Sequence, residues 1–589
     1  LARAFGCPVV VLPDASTLTK MPEFLSESAT MGVARGESEK ELEWAIATVS
    51  GWRRQYLQKI AGWEQGLKEF VALTQQEASA VPLELAWPQD SVDMLEIRGL
   101  TPQEQGARAD RKKYKRVNEQ FERWREYCTV REIDADIYAE HIASGSLPAI
   151  SILIDQRGCT LDALADTLDS LSECLWQPAN MLIVSDQPAP EAFDAEGGMQ
   201  WLVLSADDRS ALNGIRKRLS HWVLLVQSGT RLAAHSLVEW SLAVKANAQA
   251  ELIYADEDFV QGDGAPKHPF FKPQANIELL RCTNYLGSTV LARSLGWTIA
   301  ICPLFDGGLY GYALQLLRVR GRSALGHVDA VLAHSNGVLA ADIESLEYAA
   351  CASDLAKGGL AQTVRPLERL GTWLVEYLVP STPCVSLVVP TGLQTGYLRS
   401  LLESLQRFPQ KNLAEIILVC APEHFDEVEY ALANLPVDVP RTLVQLQQEN
   451  HSHSVALNAG VERATSSFIL VCDDDVEALH AHWLASLLGI AMQSDVGCVA
   501  PRLMANRGAE ARVTGGPMVL GINGTAAPYN GELGLLDECG VQARLQLTQD
   551  VGCVAGHCFV FRKQDWAELG GFDTQAFVLW FSVLDFCLR

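Results

Sequence analysis

The chain has 589 residues, 48% of them hydrophobic and 20% charged, with a formal net charge of −25 at pH 7. At about 150 residues per domain this length holds three or four units, and no apolar run approaches the roughly 18 residues that span a bilayer. So acidic a chain lacks the basic footprint that nucleic acid requires, and it accepts a phosphorylated ligand only where a cation mediates.

The first residue is Leu1, not Met, no signal peptide is read, and the sequence is treated as a fragment. A cytoplasmic location is expected, with at most a peripheral association with the inner membrane. Fifteen cysteines sit mostly in apolar runs such as Ile417-Leu418-Val419-Cys420 and Val551-Gly552-Cys553-Val554. None shows a metal-binding spacing, so they read as reduced, buried thiols.

Residues 1–80 open with the strand-like run Phe5-Gly6-Cys7-Pro8-Val9-Val10-Val11-Leu12-Pro13. Leu42, Ile46, Val49, Tyr56 and Ile60 then recur at helical spacing across Glu39 to Leu73. Residues 81–148 are polar and read as a helical linker. Its basic stretch, Arg108 to Arg125, is interspersed with Glu119 and Glu122 and followed by Glu126, the pattern of a solvated helix more than of a lipid or phosphate surface.

From residue 149 short apolar runs alternate with amphipathic helices. Strands are predicted over Ala149–Ile154, Asn180–Ser185, His221–Val226 and Glu251–Tyr254, with helices at Leu161–Leu175 and between the last two strands. Residues 341–383 read as a linker. The series then recurs: strands at Val385–Pro390, Ala414–Cys420 and Ser467–Cys472, helices at Gly396–Arg407 and His453–Ala464. Ser151 corresponds to Ser386, 235 residues on, and Gln227 to Asp473, 246 residues on. Such alternation implies an open, mostly parallel α/β sheet, present twice in tandem over 149–340 and 384–589. Ligands of such sheets bind where loops leave the carboxyl ends of the strands.

There the second copy places Asp473-Asp474-Asp475, directly after the buried-strand run Phe468-Ile469-Leu470-Val471-Cys472. Three adjacent carboxylates repel one another unless a cation offsets them. Mg²⁺ or Mn²⁺ suits one or two carboxylates plus the oxygens of a phosphate, and would act as Lewis acid on a departing diphosphate. The triplet alone fits equally well a solvated acidic turn capping a helix near Ala478.

Its surroundings favour the metal. Ser386-Leu387-Val388-Val389-Pro390-Thr391, Leu398-Arg399-Ser400-Leu401-Leu402-Glu403-Ser404-Leu405, Glu415-Ile416-Ile417-Leu418-Val419 and Ala456-Leu457-Asn458-Ala459-Gly460-Val461 precede or flank the aspartates. Val496-Gly497-Cys498-Val499-Ala500-Pro501, Gly570-Gly571-Phe572-Asp573 and Leu584-Asp585-Phe586-Cys587-Leu588-Arg589 follow. In this order and spacing the set resembles family 2 glycosyltransferases over 385–589. The resemblance implies a GT-A fold (Rossmann-like, with a mostly parallel sheet) and transfer of a sugar from a nucleotide-diphosphate donor to a glycan, lipid-linked glycan or protein acceptor in bacterial surface glycan biosynthesis. It implies donor-binding roles for Thr391, Asn458, Asp473, Asp474, Asp475 and His557, and Mn²⁺ or Mg²⁺ on Asp473 and Asp475. His557 lies in the family's acceptor-side turn, where a histidine is also commonly structural.

One departure weakens the resemblance. The family usually carries Glu-Asp or Asn-Asp two or three residues before its last aspartate, and this chain has Ser582 and Val583 there. Asp585 is then the candidate general base, with a base elsewhere or a weakened copy as alternatives; a base must come within about 3 Å of the acceptor hydroxyl. The alternative to an enzyme is a non-catalytic sugar- or partner-binding scaffold.

The copy at 149–340 resembles the same family through Tyr254-Ala255-Asp256-Glu257-Asp258-Phe259, Phe271-Lys272-Pro273, Glu278-Leu279-Leu280, Asn284-Tyr285-Leu286-Gly287 and Leu332-Ala333-His334. It has Gln227-Ser228-Gly229-Thr230 where the metal carboxylates should stand and Gly308-Leu309-Tyr310-Gly311-Tyr312 at the later acidic motif, and so reads as degenerate. Asp256-Glu257-Asp258 is taken as a structural or acceptor-side loop. Ala4 to Val10, Met21-Pro22-Glu23-Phe24 and Gly32-Val33 resemble the tail of a GT-B glycosyltransferase, with Glu23 near a donor ribose; an unrelated α/β remnant fits equally.

Overall fold

The computed structural model describes Val9–Val10, Val33–Ala34, Phe121, residues 124–125 and residues 132–589, except 192, 194–198, 204–218, 261–265, 288, 294–307, 336–342, 360, 368, 370, 382, 392–394, 434–438, 448–451, 506–511, 521–525, 529–542 and 578–580. The expected helix over Glu39–Leu73, Glu23 and most of the basic stretch before Arg125 lie outside the described residues. Of the first hundred residues, Val9–Val10 pairs in parallel with Val33–Ala34. Two compact units emerge, one of Pro102–Leu378 with Cys539–Asp550 and one of Leu1–Thr101, Val379–Glu538 and Val551–Arg589. Among the described residues no helix is long and apolar enough to cross a membrane.

The middle unit is built on β1 (Ile150–Asp155), β2 (Met181–Ser185), β3 (Met199–Val203), β4 (Trp222–Gln227), β5 (Leu252–Val260), β6 (Val290–Arg293) and β7 (Leu325–Ser335). They lie in the order β3-β2-β1-β4-β6-β5-β7, with β6 antiparallel to both neighbours. Helix α1 (Leu161–Ser172) starts where Thr160 accepts the Ala163 N–H at 3.2 Å, and α2 (Ser236–Ala246) precedes β5. β5 runs well past the expected Tyr254, so Asp256, Glu257 and Asp258 lie on a strand and not in a loop. The segment expected as a linker, 341–383, is folded: it holds a helix, Ile343–Gly358, and a hairpin of Ala361–Pro366 with Trp373–Tyr377, in which Trp373 is buried.

In the other unit, β8 (Val385–Pro390), α3 (Thr395–Arg407), β9 (Leu413–Cys420), β10 (Arg441–Gln445), α4 (His453–Arg463) and β11 (Phe468–Cys472) follow in sequence. Then come α5 (Trp483–Ala491), β12 (Cys498–Val499), β13 (Cys558–Arg562) and α6 (Ser582–Leu588). The sheet order is β10-β9-β8-β11-β13-β12; the first four strands are parallel and β13 is antiparallel to both neighbours. Every residue of β11 is buried, as expected of a strand covered on both faces. Leu398, Leu401, Leu402 and Leu405 of α3 recur at helical spacing and are all buried with α5 against one face. Each contributes roughly 1.5–3 kcal/mol of burial. Ala456, Leu457 and Val461 of α4, with Phe572 and Phe586, cover the other face. α4 sits so close that a Cβ on Gly460 would stand 2.3 Å from Val388 Cγ1.

The chain builds outward from β8 through β9 to β10, then returns to place β11 on the other side of β8. That reversal leaves a crevice beyond the carboxyl ends of β8 and β11.

Candidate active site

Strand register gathers the site. In the parallel pair β8–β11, Val388 lies opposite Val471, and the same offset carried three residues further puts Thr391 opposite Asp474. The Thr391 hydroxyl donates to Asp474 Oδ2 at 2.9 Å. In the antiparallel pair β11–β13, Cys472 lies opposite Cys558, so Asp473 meets His557 one step beyond. There the Asp473 N–H donates to the His557 carbonyl at 2.8 Å, and His557 Nδ1 lies 2.8 Å from Asp473 Oδ2. Three carboxylates, one buried threonine and one imidazole thus share the crevice. The chain from Asp473 to His482 is irregular, with no helix before Trp483.

Asp473 has a quarter of its side chain exposed, His557 two thirds, and Asp475 is exposed. The hydrogen bond to Asp473 raises the His557 pKa above its ordinary value; partial burial opposes this, and the charges of Asp473 and Asp475 add to it. A folded value above the unfolded one means that this pairing stabilises fully below about pH 6.5 and fades as pH rises through the raised value. Urea denaturation of wild type and His557→Ala across that range should show a stability gap under acidic conditions that closes under basic ones; a gap that widens with pH would refute the pairing.

Among the described residues no three histidine, cysteine or acidic side chains converge as a cage for a metal ion. An oxygen-only pair, Asp473 and Asp475, nevertheless fits a hard divalent cation that draws its remaining oxygens from water and a ligand's phosphates. The acidic run of the middle unit differs in kind. Asp256 Oδ1 takes the Lys272 N–H at 2.8 Å and lies 2.9 Å from His327 Nε2; Glu257 lies 3.5 Å from Lys272 Nζ; Asp258 Oδ1 lies 2.6 Å from His334 Nδ1. Each of these buried carboxylates has its own basic partner, brought in by β7 or the segment after β5. Where the other unit has Thr391 and Asp473, the ends of β1 and β4 carry the ion pair Asp155–Arg157 at 2.6 Å and Ser228 hydrogen-bonded to Gln156.

The other singled-out residues are placed as follows. Asn458 projects from α4 to the turn after residue 568: its Nδ2 donates to the Phe572 carbonyl at 2.8 Å, and its Oδ1 accepts from Trp566 Nε1 at 3.0 Å and Phe572 N–H at 2.9 Å. The turn needs glycine, since Gly571 has φ +82° and a Cβ there would lie 2.9 Å from Asn458 Oδ1. Asp585, on α6, is ion-paired with Arg589 at 2.9 Å, while Arg589 also donates to the Leu569 and Gly571 carbonyls. Val583, at the position of the missing acid, is buried, and a Cβ on Gly556, next to His557, would come within 3.1 Å of it. Ser404, given no role of its own in the sequence, accepts the Ala478 N–H at 3.0 Å and so ties α3 to the loop after the aspartates. A serine within the leucine stripe of α3 was the available signal.

Residues 386–570 match the family described as Glycosyl transferase family 2. The O-antigen biosynthesis protein RfbC of Myxococcus xanthus is 27% identical over 477 residues, covering 76% of this chain and 36% of that protein. The uncharacterized protein y4gI of Sinorhizobium fredii (strain NBRC 101917 / NGR234) is 27% identical over 394 residues, covering 62% of this chain and 42% of that protein. The chain therefore spans well under half the length of these relatives. Among solved structures, the mannosyltransferase PcManGT from Pyrobaculum calidifontis in complex with GDP-Man and Mn²⁺ is 18% identical, covering 34% of this chain and 50% of that one, with a TM-score of 0.24. S. aureus TarS 1-349 in complex with UDP is 11% identical, covering 35% and 65%, with a TM-score of 0.27. These scores are too low to carry a structural argument. The family match places a glycosyltransferase domain over residues 386–570.

Proposed function

We propose that the domain transfers a sugar from a nucleoside-diphosphate donor, through Asp473–Asp475, to a glycan, lipid-linked glycan or protein acceptor in bacterial surface glycan synthesis. The observation that carries this reading is the meeting of Thr391, the three aspartates and His557 at the strand-order reversal between β8 and β11. Thr391 lines the nucleotide side and fixes the Asp474 carboxylate, leaving Asp473 and Asp475 to hold Mn²⁺ or Mg²⁺. The ion supplies Lewis acidity to the departing diphosphate. His557 orients Asp473 and stands where donor or acceptor passes. The unit has the GT-A arrangement. The middle unit is a degenerate copy of it, holding acceptor or partner without a metal. A cytoplasmic setting follows from the intracellular supply of such donors.

A second reading, donor binding without turnover, is favoured by the burial of Val583 at the missing acid and by the Asp585–Arg589 pair. Calorimetric titration with UDP and with GDP, each with and without Mn²⁺, is expected to show saturable binding that needs the metal. Release of nucleotide from UDP- and GDP-sugars then separates the readings: turnover supports the enzyme, binding alone the scaffold. Absence of metal-dependent binding to either nucleotide sinks both.

A further inference from the structure

Cys472 closes β11 and Cys558 opens β13, directly opposite each other. Just beyond them the Asp473 N–H donates to the His557 carbonyl, and at the far end the Lys563 N–H donates to the Ser467 carbonyl at 2.9 Å. Both are hydrogen-bonded antiparallel pairs. Such pairs alternate with non-hydrogen-bonded ones, so Cys472–Cys558 is non-hydrogen-bonded, with Cα atoms about 4.5 Å apart. That lies just inside the roughly 4.4–6.8 Å that a disulfide requires. Both side chains belong to one buried cluster and so project from the same face of the sheet. Both thiols are free and buried.

We propose that Cys472 and Cys558 form a reversible cross-strand disulfide, by exchange with a small-molecule disulfide, that controls the aspartate site. The thiolate of one cysteine attacks the oxidant's S–S bond and expels one thiol; the thiolate of the other displaces the second. The protein gives up two electrons and two protons, and the oxidant becomes two thiols. Closure draws the Cβ atoms from about 4.5–5.5 Å toward about 3.8 Å. The next residue on each strand is a site residue, Asp473 after Cys472 and His557 before Cys558. Contraction beneath them moves the 2.8 Å pairing of His557 with Asp473. An excess of reducing thiol reverses the bond by the same exchange. Both side chains are buried, so exchange follows opening of the strand ends.

The effect on metal rests on reading Asp473–Asp475 as the donor site; formation of the bond does not. The test is a titration of the full chain across ratios of oxidised to reduced glutathione, with peptide mapping by mass and Mn²⁺ affinity on each sample. The expected result is a Cys472–Cys558 cross-linked peptide and Mn²⁺ affinity lower by about tenfold, the scale of disturbing a metal ligand's support. Dithiothreitol should restore the affinity, and Cys558→Ser and Cys558→Ala should lose the redox response. Mapping separates this bond from one between Cys498 and Cys587, which are also free. No cross-linked peptide at any ratio, or a cross-link with unchanged Mn²⁺ affinity, overturns the proposal. Should the reduced chain bind no Mn²⁺, the donor-site reading fails instead. The switch is then judged by the His557 ring resonance, whose shift on oxidation supports it and whose constancy overturns it.

Discussion

Replacing Asp473 or Asp475 by alanine is expected to lower nucleotide release from the sugar donor by on the order of a thousandfold while leaving the fold intact. The magnitude follows from the several kcal/mol a bound cation contributes to a departing diphosphate, at about 1.4 kcal/mol per tenfold in rate. The fold should survive because both residues lie beyond the buried end of β11 and part-exposed, and removing one like charge relieves repulsion. Asp473→Ala should also return His557 toward its ordinary pKa, since its hydrogen bond to Asp473 is the largest cause of its shift. Asp475→Ala should leave most of that shift in place. The pair of variants therefore separates metal loss, common to both, from imidazole release, special to Asp473. Equal activity of wild type and both variants would move the chemistry to another part of the protein.

Strand and helix positions were legible because buried parallel strands are continuous apolar runs and α3 keeps its leucines at helical spacing. The Asp473–Asp475 cluster was legible for the same reason: a run of charge directly after such a strand is conspicuous. What the sequence hid was the lateral order of strands. β13 enters the sheet from far along the chain and runs antiparallel, and only that register sets His557 against Asp473, 84 residues before it. Likewise β5 and β7 meet across a long separation, so the basic partners of Asp256, Glu257 and Asp258 could not be read from the spacing of the acids. The folded segment at 341–383 was taken for a linker because its hairpin and helix bury scattered aromatic residues, Trp373 and Tyr377 among them, without a regular period.

Asn458 is where a motif reading and a packing reading diverge, and its replacement distinguishes them. The resemblance gives it a donor contact; the structure engages its amide with Trp566 and with both polar groups of the Phe572 peptide. Asn458→Ala should therefore destabilise the unit by about 3 kcal/mol, since it leaves three polar groups without partners at roughly 1–3 kcal/mol each, partly recovered by water. Asn458→Asp keeps both accepted bonds and loses only the donated one, so it should cost markedly less. Chemical denaturation gives both values, and nucleotide titration at a temperature where each variant is fully folded gives the other half. If Asn458 serves the turn, stability falls and affinity for the nucleotide stays within about twofold, the imprecision of a few tenths of a kcal/mol. If it serves the donor, affinity falls by tenfold or more at little cost in stability. The first outcome is expected, because α4 must hold the Gly570–Gly571 turn in place for the segment leading to α6. Helix α6 carries Asp585 and Val583, whose side chain lies against Gly556, the residue before His557. On this account Asn458 reaches the chemistry only by supporting the turn that precedes α6.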